Sequence, residues 1–165
     1  MLKSNIKDFV CTIFRQDKNF IKKYNYILAF LIYSVLFGII IATKSTSHFD
    51  FIIQKYMSGI IVFMLYFTIQ ILIKSAIFFV LSKCVAKSNE TLIYCVRLLT
   101  LYTIYTNTFC YAIKKAFEQY PALYMVTLGV MTAYFGIVLL KYLELNKLSV
   151  KSIITYAVCC GITLI

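Results

Sequence analysis

Residues 56–73 read YMSGIIVFMLYFTIQILI and residues 98–113 read LLTLYTIYTNTFCYAI, two apolar runs without a formal charge. With their flanks, each is long enough to cross a hydrocarbon core about 30 Å thick at about 1.5 Å per residue. The turn between them, SKCVAKSNE (residues 82–90), carries Lys83 and Lys87 and belongs in water or among headgroups. The pair therefore reads as a membrane hairpin, and its orientation sets that of the rest of the chain.

Composition agrees. The chain is 62% hydrophobic with a mean hydropathy of +0.85, against roughly 45–50% apolar in ordinary globular chains. More apolar surface is present than 165 residues could bury in water. The net charge of +11 comes from 17 Lys and Arg against 6 Asp and Glu. These cations sit mainly at the ends of apolar runs, where they act as topology determinants beside anionic lipid, so nucleic acid is not an expected partner.

Upstream of the hairpin, residues 24–43 lie uncharged between Lys23 and Lys44 and form the first predicted span. The outer loop KSTSHFDFIIQK (44–55) holds His48, the only histidine, which reads as a solvated loop residue. Residues 1–23 are too charged to span. Ile6, Phe9, Val10, Ile13 and Phe14 recur at helical spacing there, which predicts an interfacial amphipathic segment lying in the headgroups. No small-residue cleavage pattern follows it, so a signal peptide is not expected.

Downstream, Lys114, Lys115 and Glu118 mark an outer loop, and Pro121 stands where a helix can start without losing a hydrogen bond. A fourth span follows, then the basic inner loop KYLELNKLSVK (141–151), then a short last span. The predicted fold is all-α, a polytopic bundle with spans at about 24–43, 58–81, 91–113, 122–140 and 148–165. Residues 24–165 form its transmembrane domain. With the N-terminus inside, eleven cations fall on the inner side and four, Lys44, Lys55, Lys114 and Lys115, on the outer side. That asymmetry predicts a cytoplasmic N-terminus and a C-terminus on the opposite side.

Two helix faces carry the candidate sites. Gln70 and Lys74 continue a four-residue repeat from Tyr66, and Arg97, Thr100, Thr103 and Asn107 share about a third of the third span's circumference. These faces are read either as interhelical hydrogen-bonding glue or as the lining of a hydrated path, with glue preferred. Lys74 is expected to snorkel along its own stem to the inner headgroups. Gly129, Ala133 and Gly136 form a small-residue side of the fourth span, which Ala157 and Gly161 of the fifth are expected to meet.

Parts for catalysis are missing from the sequence. All six acids lie in loops or the N-terminal segment, and there is no glycine-rich phosphate loop, HExxH or CxxC. Cys11, Cys84, Cys95, Cys110, Cys159 and Cys160 read as free small hydrophobes. A non-enzyme without cofactor or metal is expected. Tyrosines such as Tyr24, Tyr120 and Tyr142 supply the interfacial aromatic belt in the absence of tryptophan.

FVCTIFRQDKNFIKK (9–23) ahead of the first span, VLSKCVAKSNETLIYCVRLL (80–99) across the second and third, and YFGIVLLKYLELNKLSVKSIITYAV (134–158) across the fourth and fifth together resemble the Yip-domain family of five-span membrane proteins. The acidic Gly-Pro motif of that family's eukaryotic trafficking members is absent, so the resemblance points to the compact bacterial-type branch and does not imply Rab binding. It implies a non-catalytic protein that organises membrane or partner proteins. The alternatives are a small transporter or channel subunit, with Gln70, Lys74, Arg97, Thr103 and Asn107 along an anion-favouring path, and an accessory subunit of a larger membrane complex. The expected partners are the lipid bilayer, anionic headgroups on the inner face, and a second copy of the chain or another membrane protein. A bacterial inner membrane is the expected location, with an endomembrane as the alternative.

Overall fold

The computed structural model describes residues 21, 23, 25–44, 52–85, 90–143 and 150–164, and these form helices joined by turns. Five helices follow in order: α1 (Tyr26–Lys44), α2 (Ile52–Cys84), α3 (Leu92–Ala116), α4 (Pro121–Tyr142) and α5 (Val150–Leu164). Three of them are long and apolar enough to cross a membrane: α1, α2 and α4. At 25 residues α3 has the length but carries more polar groups, and α5 is apolar but only 15 residues long. The expected interfacial helix of residues 1–23 lies outside the described residues except for Ile21 and Lys23.

Local chemistry explains the ends. Asn25 caps α1 by accepting from the Leu28 amide at 3.2 Å. Thr91 caps α3 by accepting from the Tyr94 amide at 3.3 Å. Lys114 and Lys115 close the last turn of α3, where cations meet its carbonyl end favourably. Pro121 opens α4 in the expected position. One boundary differs from the sequence reading: α2 starts at Ile52, inside the stretch read as an outer loop. Lys55 alone does not stop a helix, and no glycine or proline stands between Ile52 and Ser58. At 33 residues, α2 is about 50 Å long and outreaches a 30 Å core, so its ends emerge from it or the helix tilts.

The helices pair as neighbours in the chain. α1 packs along α2 and α4 along α5, while α3 lies between the two pairs and touches α1, α2 and α4. The α1–α2 seam is aromatic. Phe30 stacks on Phe67 at 5.4 Å and Phe37 on Phe63 at 5.6 Å, with Tyr33 5.0 Å from Phe67. A second cluster gathers Phe78, Leu98, Leu99, Phe135, Leu139 and Ile162 around the N-terminal half of α3, and the fully buried Ile21 docks into it. Ile32, Leu36, Leu65, Ile69, Val126 and Val130 are exposed on the flanks of α1, α2 and α4. So much apolar surface left open, around a helix that buries Thr100, Thr103 and Thr106, is the inverse of a water-soluble bundle.

Small residues let two crossings close. A Cβ on Gly38 would lie 2.5 Å from the Ile60 Cα, and one on Gly59 would lie 2.8 Å from the Ala42 Cβ. Gly136 sits under α5, where a Cβ would meet the Cys160 Sγ at 2.5 Å, and the Tyr156 hydroxyl donates to the Ala133 carbonyl at 3.3 Å. Ala133 and Gly136 lie against α5, where their partners are Tyr156 and Cys160. Gly129 and Gly161 have open space where a Cβ would stand, and Ala157 is exposed. The register of α5 turns its larger side chains into the groove, so the expected small-on-small contact does not form.

Candidate functional site

Gln70 of α2 and Asn107 of α3 face each other where the two helices pack. Asn107 Nδ2 donates to Gln70 Oε1 at 3.1 Å, tying the helices in the middle of their apolar length. Tyr33 of α1 faces Asn107 and Thr108 from the other side. A second polar tie joins α3 to α5: the Tyr102 hydroxyl lies 2.6 Å from Thr163 Oγ1. Thr163 gives its own proton to the Cys159 carbonyl at 3.0 Å, which leaves Tyr102 as the donor.

Below the Gln70–Asn107 bridge, Lys74 and Thr103 are both fully buried. Neither Lys74 Nζ nor Thr103 Oγ1 has a hydrogen-bond partner among the described residues. This overturns the snorkelling reading of Lys74. A helical side chain leans toward its helix's N-terminus, and for Lys74 that is away from the nearer, C-terminal end of α2. Cys110 of α3 is the ionisable group with which the ammonium interacts electrostatically.

Above the bridge the helices part around a cavity of ≈ 250 Å³. Its polar lining comes from Gln70, Thr106, Asn107, Tyr124, Thr132 and Thr163, and its apolar lining includes Phe109, Leu128, Met131 and Phe135. Leu164, the last described residue of α5, lies in its wall. α4 thus has two working faces. Ala133 and Gly136 meet α5, and Tyr124, Leu128, Met131 and Phe135 meet the cavity.

The six polar candidates do not form one line. Gln70 and Asn107 join at the cavity floor, and Lys74 and Thr103 lie beneath it. Thr100 donates to its own helix at the Val96 carbonyl, 2.7 Å away. Arg97 lies near the N-terminal end of α3 with its guanidinium 5.4 Å from the Tyr26 ring centre, a cation–π contact ten residues from Asn107. Thr106, Cys110, Tyr124, Thr132 and Thr163 were missed by the sequence reading. Thr106 and Cys110 extend the polar face of α3 by one turn, and the spacing 124, 128, 131, 135 is a regular helical stripe, so both signals were present. His48 and Cys11 lie outside the described residues. Among the described residues, no three metal-ligating side chains converge.

No family model, curated protein or solved structure matches the chain. What the site can do therefore rests on its own geometry: it can hold a guest from one side.

The bridge itself is open to test. Gln70→Leu and Asn107→Leu, singly and together, should show a coupling of about 0.6 kcal/mol, and at most about 1.7, the range found for hydrogen bonds between membrane helices. Thermal stability of the purified chain in detergent reads it, and additive effects would mean that the bridge contributes nothing.

Proposed function

We propose that the chain is a non-catalytic, multi-pass integral membrane protein of Yip-like layout, crossing five times with its N-terminus inside, that works by binding and organising lipid and membrane-protein partners. One observation carries the choice of binding over transport. The polar faces of α2 and α3 close on each other at Gln70 and Asn107, and directly beneath them Lys74 and Thr103 are sealed from solvent. A path across the bilayer would need these four residues hydrated. The cation excess of the inner segments supports an attraction to anionic headgroups on that side. The crossings by α3 and α5 are supported by charge placement: Lys114 and Lys115 end α3, and Lys151 begins α5.

Thiol accessibility tests this reading. In a background without the natural cysteines, Asn107→Cys should react with a membrane-impermeant maleimide added from the outer side only, through the cavity. Thr103→Cys should be protected from both sides. Reaction of Thr103→Cys from the inner side would establish a through-path and replace the binding reading with the transporter or channel one.

A further inference from the structure

We infer that the cavity among α2, α3, α4 and the end of α5 is a binding site for the head of an uncharged glyceride, a lipid with free hydroxyls and an ester but no phosphate, whose acyl chain stays in the bilayer. This deepens the lipid-binding reading proposed above and rests on it. Three observations carry it. The first is charge. No acidic or basic side chain lines the cavity, and Lys74 is fully buried and not part of its wall. Among apolar helices a charged head without a counter-charge is costly, which removes phospholipids and ionised fatty acids as guests. The second is hydrogen-bonding capacity supplied by every helix around the space: Gln70 on α2, Thr106 on α3, Tyr124 and Thr132 on α4, and Thr163 on α5. Thr106 and Thr163 give their protons to carbonyls of their own helix, at 3.2 and 3.0 Å, so what they offer a guest is an acceptor. The Tyr124 and Thr132 hydroxyls are engaged by no side chain or carbonyl among the described residues, so they can donate. A head that donates and accepts in several directions complements such walls. A polyol ester does both, a ketone only accepts, and an alkane does neither.

The third observation is size and opening. A space of ≈ 250 Å³ takes about eight water-sized groups at roughly 30 Å³ each, and the glycerol unit and ester carbonyl of a monoacylglycerol amount to about eight non-hydrogen atoms. Between the polar groups the walls are Phe109, Leu128, Met131 and Phe135, which suit the glycerol carbons and the first methylenes. The way out is apolar as well. Tyr66 and Leu164 line the cavity and are 54% and 65% exposed. An acyl chain leaving past Tyr66 runs onto the flank of α2, where Val62 and Ile69, its neighbours one turn to either side, are exposed.

The probe is a 1-monoacylglycerol carrying a diazirine beside its ester, mixed into phosphatidylcholine vesicles that hold the full chain. After irradiation the labelled peptides are mapped. Saturable labelling of cavity residues on α3 and α4 is expected. Unlabelled 1-dodecanoylglycerol should compete at least tenfold better than dodecane or than dodecanoate kept ionised by alkaline buffer. Tyr124→Phe and Thr132→Val keep the shape and remove one hydroxyl each, and together they should weaken labelling at least fivefold. Leu128→Trp, which fills the space, should abolish the saturable part. Each variant is first checked for a single size-exclusion peak, and Met131→Trp replaces Leu128→Trp if that variant fails the check. Dodecanoate or dodecane competing as well as the glyceride, label confined to residues outside the cavity, or parental labelling of the double hydroxyl variant or of the filled cavity would overturn the assignment. Any of these results, with Thr103→Cys still protected from both sides, would remove this site and leave the choice of binding over transport standing.

Discussion

Gly38→Leu should detach α1 from α2 and cost the bundle about 3 kcal/mol, the upper part of the range for overpacking a tight interior. The reason is backbone proximity: even a methyl at this position would lie 2.5 Å from the Ile60 Cα and 2.9 Å from its Cγ1. Gly59 presses on the same spot from α2, where a Cβ would stand 2.9 Å from the Gly38 carbonyl oxygen. No side-chain rotation relieves a contact with backbone, so the helices must separate, and the aromatic seam of Phe30, Tyr33, Phe63 and Phe67 loosens with them. At about 2–4 °C per kcal/mol for a chain of this size, the thermal midpoint should fall by about 6–12 °C. Gly129→Ala is the contrasting substitution. Its Cβ would meet nothing within 4 Å, so it should be neutral or stabilise by up to about 1 kcal/mol through helix propensity. Fluorescence-detected size exclusion after heating compares the two, and equal midpoints for both variants would mean that the α1–α2 crossing is not as close as described.

Lys74→Met should do the opposite in ligand-free protein. An isolated lysine in the middle of a span costs about 2.5–3.5 kcal/mol relative to an apolar residue on insertion scales. Methionine keeps the unbranched length and fills the same space without the charge. The variant should therefore melt several degrees higher than the parent when both are stripped of bound lipid. Lys74→Ala should gain less, because removing the fully buried stem as well leaves a hole in the packed interior. A lower midpoint for ligand-free Lys74→Met would show that the ammonium already has a stabilising partner within the chain.

Much of the architecture can be read from the residues. Uncharged runs bounded by Lys23, Lys44 and Lys141 place the edges of α1 and α4, and Pro121 begins its helix as proline chemistry requires. The Gln70–Asn107 bridge was foreshadowed by two amides in otherwise apolar segments, where each needs the other. Other features depend on information that is not local. Gly38, Ala42 and Gly59 are small, but only the crossing geometry shows that they touch. The seat of α5 depends on its rotation about its own axis, which put Tyr156 and Cys160 where Ala157 and Gly161 were expected. Lys74 was misread for a related reason: stem length says that a lysine can snorkel, while lean toward the N-terminus and burial by neighbouring helices decide whether it does.

The central claim is that the polar α3 and the short α5 are crossings, although neither has both the length and the apolar character of α1, α2 and α4. The most direct measurement places single reporter cysteines at Thr46, Ser88, Gln119 and Asn146 in a cysteine-free background, with a tag at Ile165, and labels intact cells with an impermeant reagent. Thr46, Gln119 and the tag should be reached from outside, and Ser88 and Asn146 only after permeabilisation. Gln119 found on the same side as Ser88, or Ile165 on the same side as Asn146, would contradict the five-crossing architecture.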